Sequence, residues 1–97
     1  MEPLSERDIK NTLAAKLSGW KHKDDKIHRS YTFSDFKEAM SFIVQIGFVA
    51  EEQVHHPELF NVYNTVKISL CTHDADDKVT EKDINLAEAI EEIYKKY

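Results

Sequence analysis

The spacing of hydrophobic residues along this chain switches between helical and extended periods four times, and that alternation leaves few folds open to it. Ile9, Leu13 and Leu17 recur every four residues with Ala14 beside them, the stripe of an amphipathic helix. Ser5 and Asp8 stand at capping-box spacing and Leu4 and Ile9 at hydrophobic-staple spacing, so the helix starts after Ser5; Gly19 is expected to end it. A period of two follows. Trp20 to Lys23 and Ile27 to Phe33 read as the arms of a β-hairpin across Asp24-Asp25, with Ile27, Tyr31 and Phe33 alternating against His28, Ser30 and Thr32.

The pattern then repeats. Ser34 is expected to cap a second helix reaching about Val49 or Glu52, with two apolar stripes, Phe36-Met40-Ile43-Gly47 and Phe42-Ile46-Val49. That breadth calls for one side on a sheet and another, Phe42-Ile46-Val49, against a neighbouring element or subunit. After His55-His56-Pro57, Phe60 to Tyr63 and Val66 to Thr72 read as strands with Asn64-Thr65 as a tight turn; one long bent strand fits the same residues. Asp74 to Lys78 is a polar loop. A last helix starts at Thr80, where Asp83 completes a capping box and Val79 and Ile84 form a staple, and it carries Leu86, Ile90, Ile93 and Tyr97 on one face. The order α-β-β-α-β-β-α predicts an α+β fold: a single domain over residues 1–97, a four-stranded antiparallel sheet with three helices on one face.

Composition removes whole classes of function. A chain of 97 residues with 41% hydrophobic positions can build one core, and its modest size favours association into a dimer or tetramer. Eighteen acidic residues against thirteen basic ones give a formal charge of -5, which argues against direct nucleic-acid binding and against anionic membrane surfaces. The longest apolar stretch, Phe42 to Ala50, is interrupted by Gln45 and falls short of the ~20 residues of a membrane span. The polar start, Met1 to Ser5, is not an apolar signal segment, and the lone Cys71 cannot make an internal disulfide, so a reducing, cytoplasmic setting is expected. Two glycines and two prolines leave no linker and no glycine-rich phosphate loop.

Histidine is the side chain able to act as acid or base near neutrality, and this chain has five. His22 and His28 fall on the first hairpin and are expected to be exposed and idle. His55 and His56 follow the second helix and His73 ends the last strand, places where a small α+β domain gathers side chains into a cleft. Three histidines can also hold zinc, but there is no H-E-x-x-H helix, and adjacent residues of an extended segment point to opposite sides. Cys71, in an alternating strand beside Leu70, reads as a structural cysteine rather than a nucleophile.

Glu51-x-x-x-His55-His56-Pro57, five residues to Tyr63, nine more to His73, and then Thr80-Glu81-Lys82-Asp83 resembles the signature of the pterin-4a-carbinolamine dehydratases. Gly19-Trp20, Phe60-Asn61-Val62-Tyr63-Asn64, Thr72-His73-Asp74 and Asp83-Ile84-Asn85-Leu86-Ala87 share the likeness, which spans essentially the whole chain. The resemblance implies a lyase that removes water from the 4a-hydroxytetrahydropterin left by aromatic amino acid hydroxylases, yielding quinonoid dihydropterin and so serving tetrahydrobiopterin recycling. It implies His55 and His73 as a proton-transfer pair able to exchange roles, and His56 as a substrate-binding residue that assists the leaving hydroxyl. The backbone around Val54 to His56 and around Cys71, Thr72, His73 and Asp74 would hold the pterin edge. Neither metal nor organic cofactor is implied, the pterin being substrate. In animals such proteins also serve as dimerisation cofactors for a homeodomain transcription factor, so a helix-mediated protein partner and a nuclear location are further implications.

The supporting positions have plainer readings as well. Asp83 is accounted for by helix capping, Glu51 orients a histidine or is a solvated helix-end acid, Trp20 lies near the pterin or in the core, and Tyr63 packs. Pro57 fixes the backbone that aims the histidine pair. The chain departs from the family pattern in two places. Val54 replaces an often polar residue, and the loop Asp74 to Lys78 lacks the usual glycine and is a residue longer than is common.

Overall fold

The computed structural model describes residues 1–97 in the order α1 (Glu6–Lys16), β1 (Lys21–Lys23), β2 (Lys26–Thr32), α2 (Phe36–Gln53), β3 (Glu58–Val62), β4 (Thr65–Leu70), a single 3-10 turn (His73–Ala75) and α3 (Glu81–Tyr94). The strands form one antiparallel sheet in the order β1-β2-β4-β3, so the two hairpins meet along β2 and β4. Register determines which side chains face the helices. Ile27 pairs with Leu70, Arg29 with Ile68 and Tyr31 with Val66, and all but Arg29 are buried in one core with Leu13 and Leu17 of α1, Phe42 and Ile46 of α2 and Leu86 and Ile90 of α3. The other face presents Lys21, Ser30, Lys67 and Phe60 to solvent. All three helices therefore cover one face, the expected α+β architecture.

Local chemistry explains the boundaries. The Ser5 hydroxyl accepts from the Asp8 amide at 3.0 Å, and Thr80 with Asp83 forms the anticipated capping box. The second helix is capped by Asp35, not Ser34: the Asp35 carboxylate accepts from the Glu38 amide at 2.9 Å. Glu38 in turn accepts from the Ser34 amide, whereas Ser34 has Lys37 three residues on, which has no acceptor to return. The helix runs past the expected end to Gln53. The second hairpin turns at Tyr63-Asn64, one residue earlier than expected, with Val62 opposite Thr65 and Tyr63 at φ 48°. Asn64 fixes that turn by exchanging hydrogen bonds with Phe33, its side chain donating to the Phe33 carbonyl and its own carbonyl accepting from the Phe33 amide. The two strands are thus separate, and one long bent strand is excluded.

Three further expectations change. Gly19 does not provide a left-handed cap, because α1 ends at Lys16 and neither glycine has a positive φ. It makes room instead: a Cβ there would stand 1.7 Å from the Arg29 guanidinium. That guanidinium lies over the Tyr31 ring and pairs with Glu91, which also accepts from the Trp20 indole and the Tyr31 hydroxyl, tying α3 to the sheet. Burial first and the Glu91 bond second push the Tyr31 hydroxyl far above its ordinary pKa, so it stays a donor. On α2, the stripe suggested for an outside partner is the core one, since Phe42 and Ile46 are fully buried. The free apolar face carries Phe36, Val44 and Phe48, the last 70% exposed. His28 is not idle surface either; it is half-buried and bonded through both nitrogens, to the Ser69 hydroxyl and the Lys23 carbonyl.

Candidate active site

Helix α2 stops in a Schellman motif. The Val54 amide donates to the Glu51 carbonyl and the His55 amide to the Ala50 carbonyl, with Val54 in the left-handed region at φ 52°, ψ 45°. A β-branched residue is strained there, and it holds the place that glycine usually takes. The reversal sends His55 back against the N-terminus of α3, while His56 and Pro57 lead out into β3. From the opposite side β4 ends at Leu70, and Cys71, Thr72 and His73 continue toward the same place. A bridge from Thr72 to Lys78 pinches off the following loop.

Between these segments lies a cleft of about 280 Å³, lined by Val54, His55 and His56 on one side and Cys71, Thr72, His73 and Asp74 on the other. Every residue that the sequence offered as catalytic or substrate-binding lines it. Lys82 of α3, within Thr80-Glu81-Lys82-Asp83 and without an expected role, completes the lining. A larger hollow of about 490 Å³ opens between α1 and β1, but its one histidine, His22, has no carboxylate partner, so size does not mark the chemistry here.

Each histidine of the cleft is paired with a carboxylate of its own. His55 is buried, and its Nε2 lies 2.5 Å from Asp83 Oδ1. The other Asp83 oxygen accepts from the Thr80 amide and the Thr72 hydroxyl, both at 2.8 Å. The Thr72 proton is used in that bond, so the Thr80 hydroxyl, 2.6 Å away, must be the donor between the two threonines. Asp83 is thus both the helix cap and the partner of His55. Facing a carboxylate, Nε2 carries the hydrogen, which in a neutral imidazole leaves Nδ1 bare and basic. His56 Nε2 bonds Glu51 at 2.8 Å, both largely exposed. His73 Nδ1 bonds Asp77 at 2.9 Å, and this bond, reinforced by the charges of Asp77 and Asp74, raises the pKa of His73 above its usual value. Burial pushes the Cys71 thiol up, away from thiolate character.

The supporting residues divide. Glu51 and Asp83 reach the histidines directly, and Pro57 separates His56 from the start of β3. Trp20 is buried, donates to Glu91 and lines the other hollow, so the structure does not bring it to the cleft. Tyr63 is 61% exposed in the hairpin turn rather than packed. Sequence reasoning missed Asp77, although its position four residues after His73 was available.

The class is thus a small α+β domain with one cleft lined by three histidines, each bonded to its own carboxylate. The sequence profile of the family described as Pterin 4 alpha carbinolamine dehydratase matches residues 2–93, and the chain belongs to that family. A relative from Christiangramia forsetii, provisionally named a pterin-4-alpha-carbinolamine dehydratase, is 50% identical over 96% of this chain and 94% of its own. One of the same name from Opitutus terrae is 47% identical over 93% of this chain and 92% of its own. Among solved structures, that of a transcriptional coactivator/pterin dehydratase from Brucella melitensis superposes with a TM-score of 0.87 at 40% identity, covering 94% of this chain and 97% of the other. No helix is long and apolar enough to cross a membrane.

Proposed function

We propose that this protein dehydrates 4a-hydroxytetrahydropterins through His55 and His73. The observation that supports this most is that His55 and His73 line one cleft, each with one ring nitrogen on a carboxylate and the other free of protein partners. His55 Nδ1 removes the proton from the ring nitrogen, and the electron pair of that N–H bond forms the new C=N bond. The C4a–O bond breaks as His73 Nε2 gives its proton to the departing hydroxyl, which leaves as water. The product is the quinonoid dihydropterin, and the two histidines reset by exchanging one proton with solvent. Each transfer is worth about 10²–10⁴ in rate. His56, held by Glu51, binds substrate and assists the leaving hydroxyl, and the backbone of Val54 to His56 and of Cys71 to Asp74 receives the pterin edge. The scheme uses no metal or organic cofactor. Cys71 has no disulfide partner, as suits the reducing cytoplasm to which this reading assigns the protein.

Loss of the 4a-hydroxy intermediate, followed by ultraviolet absorbance, tests the reading. Wild-type protein should accelerate it, and His55→Ala combined with His73→Ala should return the rate to the spontaneous one. A wild-type protein without acceleration refutes the proposal. A second role as a protein-binding partner is favoured by one observation, the free apolar face of α2 with Phe36, Val44 and Phe48 beside the coactivator name of the Brucella protein. Self-association into a dimer or tetramer covers the same face. Light scattering of the pure protein separates them: a homo-oligomer satisfies the face without a second chain, and a monomer favours the partner role.

A further inference from the structure

The loop after His73 departs from the family pattern and has a use of its own. Its ends are tied, with the Thr72 amide donating to the Lys78 carbonyl at 2.8 Å and the Ala75 side chain buried beneath it. The chain returns through two consecutive left-handed residues, Asp76 at φ 58° and Asp77 at φ 60°. Aspartate tolerates that conformation better than most side chains, which explains how a loop without glycine closes. The return brings the Asp77 carboxylate to 2.9 Å from His73 Nδ1.

We propose that Asp77 is a positioning residue for the dehydration: its carboxylate holds His73 through Nδ1, leaves Nε2 for the substrate and commits His73 to the acid role. The inference rests on the dehydratase reading above and goes beyond it, because it gives a carboxylate of the loop after His73 a part in orienting that histidine. The other charged groups around His73 do not replace Asp77. Asp74 acts on it through charge alone, Lys78 is paired with Asp25, Lys82 lines the cleft from α3 as a like charge, and the remaining titratable neighbours are His55, His56 and Cys71, whose thiol is held protonated. Both partners are exposed, so the effect is screened by salt and is to be measured at low ionic strength.

Asp77→Asn is the test, since asparagine keeps the left-handed backbone and removes the charge. The His73 titration, followed by its imidazole NMR signals, should move to lower pH in the variant. The alkaline limb of kcat/KM should move down by the same displacement, because the rate falls as His73 loses its proton. Above both limbs the loss of rate should equal the ratio of the two acid constants read by NMR; well below them the variant should match wild type, and Asp77→Glu should restore the limb. A His73 titration that does not move in an active enzyme overturns the role of Asp77 alone, as does a loss of rate that is equal at every pH. Wild-type protein that fails to accelerate dehydration overturns the catalytic role together with the function it rests on.

Discussion

Asp83→Asn isolates the part of the site that the fold controls most tightly. Asparagine matches aspartate in shape, but its two terminal atoms differ, and the surroundings decide which goes where. One Asp83 oxygen receives two donors, the Thr80 amide and the Thr72 hydroxyl, so the amide oxygen of asparagine must take that side. The NH₂ group is then left facing His55 Nε2, where donor would meet donor. His55 escapes by moving its hydrogen to Nδ1, so that Nε2 accepts. Nδ1, the nitrogen without a protein partner, becomes a donor, and the proposed base is lost. The expected fall in kcat is about 10²–10⁴, the range of one general-base transfer, and an inverted histidine tautomer costs serine proteases about 10⁴. Because the cleft lining is unchanged, KM should hold nearly steady. A charge-assisted bond is replaced by a neutral one, so stability should drop by about 1–3 kcal/mol, measured by urea unfolding. Nitrogen chemical shifts of the His55 ring report the tautomer directly. A variant that keeps the wild-type kcat, or that loses it with the His55 tautomer unchanged, refutes this account of the base.

Two further perturbations test the framework around the site. Val54→Gly should stabilise the protein by about 0.5–1 kcal/mol, because left-handed strain on an L-residue costs about 1–2 kcal/mol and glycine gives part of that back as unfolded-state entropy. The urea midpoint measures this, and a destabilised variant would show that Val54 makes contacts that outweigh its backbone strain. Gly19→Ala should act in the opposite direction, lowering stability by about 1–3 kcal/mol, since the added methyl occupies the place of the Arg29 guanidinium and drives it from Glu91. Thermal unfolding checks it. An unchanged midpoint would mean that Arg29 relocates freely and that its pair with Glu91 contributes little.

Much of the fold was legible because each burial decision repeats along an element. Ile9, Leu13 and Leu17 state one helix face three times, and Val66, Ile68 and Leu70 state one strand face three times, so no single residue has to be read correctly. Single-residue decisions were harder. Ser34 and Asp35 are both good caps, and only the acceptor at Glu38 separates them. The two stripes of α2 could be seen, but which one meets the sheet depends on how the helix is rotated, a tertiary property, and the assignment was reversed. The lining of the cleft was legible through the family resemblance because the motif fixes sequence positions. What sequence could not supply was the pairing. His55 and Asp83 are 28 residues apart, and nothing in the spacing says that a Schellman reversal at Val54 brings them together.

That pairing changes what the capping box means. Read from sequence, Thr80 and Asp83 are a stability device, sufficient by themselves to explain the residues. In the structure the same carboxylate satisfies an orphan amide at the start of α3, accepts from Thr72 at the end of β4 and fixes the His55 hydrogen at the end of α2. Three elements meet on one buried side chain, so the tautomer of His55 is set by groups that the protein must place correctly in order to fold. His73 is the contrast. Its carboxylate partner sits exposed on a loop outside the core, where a residue that tolerates the left-handed backbone can replace it. In the proposed scheme the base is thus locked into the core and the acid is left adjustable at the rim. Variation among related proteins in the loop after His73 should therefore move the alkaline limb of the pH profile while leaving the unfolding free energy nearly constant. Paired urea and pH-rate measurements on loop-exchanged proteins test that separation, and a loop exchange that shifted both together would refute it.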